Sequence, residues 1–177
     1  MSDFNAVFVG FGGQGVLFMG KVTAYIGLAQ GREVSWIPSY GPEMRGGTAN
    51  CSVCISDEPI GSPLVNHPDA VIAMNKLSYD KFAESVRPGG LLIYDSSVFA
   101  PKDTRKDLDV FALPATLMAG EKQLNGIANM ILLGKMLGYT SLADEDIIEQ
   151  AIRQSVPNSK AGMVENNLRA IRLGMQS

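Results

Sequence analysis

Short apolar runs alternate with helical patterns along this chain. The first apolar run, residues 6–9, predicts a buried strand, and Val16–Ala29, apolar almost all round, predicts a buried helix. The same patterns predict strands at 33–39, 48–56, 70–74, 91–94 and 110–113, and helices at 76–86, 127–137 (the centre of a loop-and-helix segment, 114–138), 144–155 and 163–175. This alternation predicts a single α/β domain, residues 1–177, with a Rossmann-like, doubly wound, mostly parallel sheet and helices on both faces.

The last predicted helix has an apolar face at helical spacing. Its members are Val164, Leu168, Ile171 and Met175. We interpret this face as core or as a contact with another subunit, because such stripes more often pack against protein than against a cofactor.

Composition narrows the possible partners. With 15 Lys+Arg against 18 Asp+Glu the net charge is −3, so we expect no nucleic-acid partner. No apolar run approaches the length of a membrane span, so we expect no membrane association, and two cysteines indicate a reducing, cytoplasmic setting. The charged fraction of 19% lies below the roughly 25% of ordinary domains, which suggests that another chain covers part of the surface.

A glycine-rich segment, residues 10–15, joins the first strand to the first helix. Gly10, Gly12 and Gly15 fit the G-x-G-x-x-G pattern, in which glycines permit a tight turn and N–H groups at the helix start face an anion. A dinucleotide site also requires an acid at the end of the second strand, where this chain has Ser39 and Tyr40. The sequence therefore argues against NAD or FAD, and the loop either binds another phosphate or packs closely.

A second loop, residues 38–47, contains two prolines and three glycines. It carries Tyr40, Glu43 and Arg45 without apolar periodicity, at the end of a strand, where open α/β sheets place their ligands. The guanidinium of Arg45 suits a phosphate or carboxylate, whereas the simpler interpretation is a solvated turn with a Glu43–Arg45 ion pair.

Cys51 and Cys54 form a C-x-x-C pattern inside the third predicted strand. Residues three apart on a strand project from opposite faces, and no second cysteine or histidine pair completes a zinc site, so we interpret both as structural thiols. His67, the only histidine, lies before a strand without a nearby partner, and we assign it no catalytic role.

Several catalytic patterns are missing from the sequence. It contains no Walker A motif, no G-x-S-x-G elbow, no Gly-Asp-Gly stretch for a magnesium diphosphate and no cysteine run for an iron–sulfur cluster. We therefore assign this chain no catalytic residue and no metal ligand, and we expect the chain alone to be inactive.

The two loops together resemble a known family. The segment Gly-Phe-Gly-Gly-Gln-Gly ending at Gly15 closely resembles the Gly-x-Gly-Gly-Gln-Gly signature of the gamma subunit, or gamma domain, of 2-oxoacid:ferredoxin oxidoreductases. Residues 39–47, Ser-Tyr-Gly-Pro-Glu-Met-Arg-Gly-Gly, resemble the second hallmark of that family, and the turn at 87–90 and the Asn-Asn-Leu stretch at 166–168 are also similar. The resemblance covers essentially the whole chain.

The resemblance implies a subunit of a multi-chain enzyme that oxidatively decarboxylates a 2-oxoacid to an acyl-CoA and reduces ferredoxin. It implies alpha, beta and ferredoxin-like delta partner subunits, which hold thiamine diphosphate, magnesium and iron–sulfur clusters, while this chain alone binds no cofactor. It also implies that the gamma piece lies beside the active site, on the coenzyme A side. The residues that match the two motifs, and are therefore candidates for ligand binding, are Gly10, Gly12, Gly13, Gln14, Gly15, Tyr40, Gly41, Glu43, Arg45, Gly46 and Gly47.

Alternatives remain within and outside this family. The oxoacid is 2-oxoglutarate, our first choice, or pyruvate, a branched-chain oxoacid or an aryl pyruvate. A related subunit of indolepyruvate oxidoreductases shares the glycine motif, and a non-catalytic nucleotide-binding or regulatory module is the alternative from another class.

Overall fold

The computed structural model describes residues 3–40 and 48–177, with side chains described through residue 39 and from residue 48 on. The described residues form six strands and six α-helices. The strands are β1 (Phe4–Phe11), β2 (Glu33–Tyr40), β3 (Thr48–Ser56), β4 (Ala70–Ala73), β5 (Leu91–Asp95) and β6 (Asp109–Leu113). The helices are α1 (Val16–Ala29), α2 (Lys76–Phe82), α3 (Ala115–Glu121), α4 (Ala128–Thr140), α5 (Glu145–Ser155) and α6 (Met163–Met175). Over the described residues, no helix is long and apolar enough to cross a membrane.

The predicted α/β class with a mostly parallel sheet is confirmed. The strands form one sheet in the order β2-β3-β1-β4-β5-β6, and β1, β4, β5 and β6 pair in parallel. Only β3 runs against its neighbours, because residues 41–47 are too short a connection for the crossover helix that a parallel return from β2 requires.

Two predicted helices differ from the observed ones. The segment 76–86 is α-helical only to Phe82 and ends in a 3₁₀ turn, Ala83–Ser85. The segment 114–138 contains two helices, because the chain turns between them at Gln123 and Gly126, which have φ angles of 57° and 81°. An α-helix cannot continue through left-handed backbone, so α3 ends before this turn and α4 begins after it.

Helices cover both faces of the sheet, as predicted. Phe8, Ile72 and Ile93 point to the face that packs against α1, α4, α5 and α6. The alternate residues of the same strands point to the opposite face, where Tyr79 of α2 joins them. Because parallel strands are covered on both sides, β4 and β5 are buried along their whole length.

The apolar face predicted for the last helix packs against α4. Val164, Leu168 and Ile171 are buried in the main core, whereas Met175 keeps 37% of its surface exposed. The two helices approach closely at glycines, since Gly134 of α4 lies against the Ile171 backbone and Gly174 of α6 lies against the Ile131 backbone. This stripe is therefore core and not a cofactor site.

Candidate functional site

The glycine loop (residues 10–15) lies at the carboxyl end of β1, next to β4, and the connections after these two strands lie on opposite faces of the sheet. After β1 the chain crosses to α1 on one face, and after the neighbouring strand β4 it continues into α2 on the other. Open α/β sheets bind ligands at the carboxyl ends of strands at such a switch point, because the diverging connections leave a crevice. The loop thus occupies the expected position for a ligand site.

The loop backbone exposes the start of α1. Gly15 is the N-cap residue, with φ of 75°, and Gly13 has φ of 95°, both in the left-handed region that favours glycine. Among the described residues no side chain caps this helix start, so its first N–H groups remain available to an anion. A Cβ added at Gly13 would meet no described atom within 4 Å, so the loop has open space on that side.

Gln14 holds the loop from the β4 side. Its Oε1 accepts hydrogen bonds from the Phe11 N–H at 2.7 Å and from Asn75 Nδ2 at 3.3 Å, and its Nε2 donates to the Met74 carbonyl oxygen at 3.1 Å. Asn75 in turn caps α2, because its Oδ1 accepts from the Ser78 N–H at 2.9 Å. The motif glutamine therefore joins the ends of β1 and β4 to the start of α2.

Asn129 holds the loop from the opposite side. This residue lies in the first turn of α4 and is 4% exposed, and its Nδ2 donates to the Gly15 carbonyl oxygen at 3.1 Å. Gly15 has no room for a side chain, since a Cβ there would overlap the Asn129 amide. The loop is consequently fixed between the start of α2 and the start of α4.

Within the described part of the chain, two cavities adjoin the loop and share Gly13, Gly126 and Asn129. The smaller, about 250 Å³, lies towards β4 and α3 and includes Gln14 and Thr116 in its wall. The larger, about 520 Å³, lies between the start of α1, the start of α4 and the connection from α5 to α6. The other residues that line the larger cavity are Gly15, Phe18, Lys21, Ile127, Ser155, Val156, Pro157, Lys160, Met163 and Asn167.

The predicted site residues fall into two groups. Gly10 lies near the end of β1, and Gly12, Gly13, Gln14 and Gly15 form the turn that joins β1 to α1, so the structure brings all five together. Tyr40 is the last residue of β2, whereas the remaining candidates lie outside the described residues: Gly41, Glu43, Arg45, Gly46 and Gly47. Tyr40 pairs with Ala49, and Thr48 pairs with Phe11, so the two ends of that segment attach at the sheet edge from which the glycine loop leaves.

The two cysteines project from opposite faces of β3, as predicted. Cys51 is fully buried under α1 and its Sγ donates to the Val16 carbonyl oxygen at 3.5 Å, whereas the Cys54 Sγ lies 3.9 Å from the Pro63 carbonyl oxygen. Both thiols are free. Burial raises the pKa of Cys51 to about 12, and burial also raises the pKa of Cys54.

We expect the Cys51 thiol to be unreactive in the folded protein. At pH 8 a pKa of about 12 leaves a thiolate fraction of ~10⁻⁴, roughly a thousandfold below a free cysteine. Because the folded state keeps this proton after the unfolded state has lost it, Cys51 also lowers folding stability as pH rises from about 9 towards 12. Titration with a disulfide reagent at pH 8, with and without denaturant, measures the reactivity of the Cys51 thiol. Fast labelling of Cys51 without denaturant would contradict the expected lack of reactivity.

Apart from Gly13 and Gly15, the residues that line the larger cavity were not predicted from the sequence. Asn129, Ser155 and Asn167 lie inside or at the end of predicted helices, where their polar side chains interrupt otherwise apolar faces. These polar residues in apolar helix faces were the sequence signal that could have identified the cavity lining. Asn167 belongs to the Asn-Asn-Leu stretch at 166–168. Lys21, another interruption of an apolar helix, lines the same cavity.

The fold and the loop define a Rossmann-like α/β domain in which the last described residues of β2 are Ser39 and Tyr40. A sequence profile of the pyruvate ferredoxin/flavodoxin oxidoreductase family matches residues 5–177. The chain therefore belongs to that family, which confirms the resemblance seen in the two loops.

Individual relatives agree with this assignment. The ketoisovalerate oxidoreductase subunit VorA of Methanothermobacter marburgensis is 42% identical over 167 residues, which are 93% of this chain but 34% of that protein. The 2-oxoglutarate synthase subunit KorC of Methanocaldococcus jannaschii is 35% identical over 170 residues, 94% of this chain and 89% of its own length. The chain spans about a third of the length of the VorA relatives and nearly the whole of the KorC protein.

A solved structure extends the likeness to three dimensions. The gamma subunit of a keto/oxoacid ferredoxin oxidoreductase from Geobacter sulfurreducens superimposes with a TM-score of 0.80 at 28% identity. The superposition covers 98% of this chain and 96% of that one. The architecture described above is therefore shared with that gamma subunit.

Proposed function

We propose that this chain is the gamma subunit of a cytoplasmic 2-oxoacid:ferredoxin oxidoreductase. Its alpha, beta and ferredoxin-like delta partners carry thiamine diphosphate, magnesium and iron–sulfur clusters, and coenzyme A accepts the acyl group. The matches to a KorC subunit and to a gamma subunit support the gamma-type assignment. The two free, buried cysteines agree with a reducing compartment.

The observation that carries the proposal is the preorganised glycine loop with an uncapped helix start beside open space. Coenzyme A has a diphosphate group, and helix N-termini with free N–H groups bind such anions. The loop fits this role better than that of a dinucleotide site, because the last residues of β2 are Ser39 and Tyr40 and provide no carboxylate for a ribose. Arg45, which also matches the family motif, would supply a second phosphate contact in the assembled enzyme.

The substrate is a 2-oxoacid within this proposal. 2-Oxoglutarate is our first choice and agrees with the name of the KorC relative, whereas the more similar VorA relative is named for ketoisovalerate. Both therefore head the list of substrates for testing, followed by pyruvate and indolepyruvate.

Purification of the chain from its own cells tests the proposal directly. Co-elution with thiamine-dependent subunits, and coenzyme A-dependent ferredoxin reduction by one of these oxoacids, is the expected result. A chain that elutes alone and binds a nucleotide without partners would instead identify a regulatory module.

Arg45→Ala is expected to raise the KM for coenzyme A about tenfold in the assembled complex. Loss of one charge-assisted phosphate contact removes roughly 1.4 kcal/mol of binding energy. Steady-state kinetics with varied coenzyme A and saturating oxoacid measure the change. Arg169→Ala, at an exposed arginine of α6, is the matched control. Equal kinetics of the two variants would show that the second loop, residues 38–47, does not contribute to coenzyme A binding through Arg45.

A further inference from the structure

The sheet ends at two edge strands, β2 and β6, which differ in how they are protected from other chains. An exposed strand edge presents unpaired N–H and C=O groups, and proteins usually protect it with proline, with charged side chains or with a covering segment. β2 contains Pro38, which has no N–H to donate. The three central residues of β6, Val110, Phe111 and Ala112, are uncharged and include no proline. The edge of β6 is therefore the one that remains open to pairing.

Two hydrogen bonds show which backbone groups of β6 point away from the sheet. The Asp109 N–H donates to a carbonyl oxygen at the start of β5 at 2.9 Å, and the Leu113 carbonyl oxygen accepts from the Ser96 N–H at 2.8 Å. Because bonding groups alternate along a strand, the N–H and C=O groups of Val110 and Ala112 point outwards. Among the described residues, none forms a hydrogen bond with these four outward groups.

The four outward groups are complementary to the same edge of a second copy. In antiparallel strands, two residues that face each other in a hydrogen-bonded pair exchange both of their N–H···O=C bonds. If a two-fold axis passes beside Phe111, Val110 of each copy faces Ala112 of the other. Every outward N–H of these two residues then meets an outward carbonyl oxygen, and the two copies share four hydrogen bonds.

The side chains beside this edge are compatible with contact between two copies. Phe111 is partly buried, and Tyr139, which is 47% exposed, packs edge-on against its ring with the centroids 5.1 Å apart. The neighbouring charges already have partners in the chain. The Tyr139 hydroxyl donates to Asp109 Oδ2 at 2.6 Å, and Lys135 Nζ, which lies over the Phe111 ring, donates to the Ser177 carbonyl oxygen. Pairing of two edges thus brings aromatic rings together at the axis without opposing unpaired charges.

We propose that β6 is a dimerisation edge, at which two copies of this chain pair antiparallel across a two-fold axis at Phe111. The two six-stranded sheets then form one continuous sheet of twelve strands. The proposal does not rest on the proposed function, because it uses only β6, which β4 and β5 separate from β1 and the glycine loop. A second copy is the favoured occupant because its edge matches this one group for group.

Sedimentation equilibrium of the purified chain tests the proposal with two substitutions at Ala112, which is exposed. Ala112→Pro removes one outward N–H from each copy and therefore two of the four hydrogen bonds, whereas Ala112→Val keeps both and favours a strand. We expect a wild-type dimer, a rise of about thirtyfold in its Kd in Ala112→Pro, and a Kd within about threefold of wild type in Ala112→Val. A monomeric wild-type chain, or a dimer that Ala112→Pro does not weaken, overturns the proposal.

Disulfide cross-linking tests the register without the proline variant. Phe111→Cys places two thiols opposite each other at the axis with Cα atoms about 4.5 Å apart, which a disulfide can span. Ala112→Cys, the matched control, places its two thiols on diagonal positions with Cα atoms about 7–8 Å apart, beyond that reach. Under mild oxidation we expect a covalent dimer of Phe111→Cys on non-reducing electrophoresis, and none of Ala112→Cys or of the wild type, whose Cys51 and Cys54 are buried.

The remaining outcomes count against a second copy at β6. Equal cross-linking of both cysteine variants, or cross-linking of neither, contradicts the two-fold axis at Phe111. A purified chain that stays monomeric, and whose β6 amides become protected from hydrogen exchange only when a different protein is added, shows that a strand of that protein occupies the edge.

Discussion

Gly134→Ala is expected to destabilise the folded chain by about 3 kcal/mol, which corresponds to a fall in melting temperature of roughly 6–12 °C. A Cβ at this position would overlap the Ile171 carbonyl oxygen and lie 2.8 and 2.9 Å from the Ile171 C and Cα atoms. The neighbouring atoms belong to the backbone of α6, so no side-chain rotation relieves the overlap, and the two helices must separate. Chemical denaturation of the purified chain measures the loss.

Two other glycines provide the controls for this prediction. Gly138→Ala, one turn further along α4, meets Met175 at 3.1 Å or more and is expected to cost less. A Cβ at Gly120 in α3 would lie no closer than 4.0 Å to another described atom. Gly120→Ala is therefore expected to stabilise the chain by a few tenths to about 1 kcal/mol, because alanine has a higher helix propensity than glycine. Equal stability of Gly134→Ala and Gly120→Ala would show that α4 and α6 are not in close contact.

The local pattern of the sequence was sufficient to predict the strands and most of the helices. Val16–Ala29 and Thr48–Ser56 have the predicted bounds, because an apolar run flanked by glycines or polar residues contains its own start and stop signals. The division of 114–138 into α3 and α4 was not predicted, since the left-handed backbone at Gln123 depends on a turn geometry that its side chain does not signal.

The sequence predicts the loop of the candidate site, but it does not predict the hydrogen-bond partners that hold the loop in place. Glycines are typical of positions with left-handed backbone, so the sequence alone predicts the loop and the helix that follows it. The acceptors and donors that hold it come from distant segments: Asn75 and Met74 reach Gln14 across some 60 residues, and Asn129 reaches Gly15 across 114. Such pairs are set by the packing of α2 and α4 on the sheet, and a single sequence contains no periodic signal for them.

The role of Gln14 leads to the second large effect. Gln14→Glu keeps an oxygen in the Oε1 position, where it still accepts from the Phe11 N–H and from Asn75 Nδ2. The Nε2 donor, however, becomes a second carboxylate oxygen facing the Met74 carbonyl oxygen, so a hydrogen bond is replaced by repulsion between two acceptors. Losing that bond and leaving a carbonyl unpaired costs about 2–3 kcal/mol.

Gln14→Glu is also expected to weaken coenzyme A binding, because the added negative charge stands in the loop that we propose to bind the diphosphate. A rise of about tenfold in the KM for coenzyme A, with kcat changed less, is the expected outcome in the assembled complex. Gln150→Glu adds the same charge on the exposed face of α5 and is the matched control. Loss of stability without any change in this KM would assign Gln14 a purely structural role. If the KM rises in Gln14→Glu and stays constant in Gln150→Glu, the glutamine positions a loop that contacts the ligand.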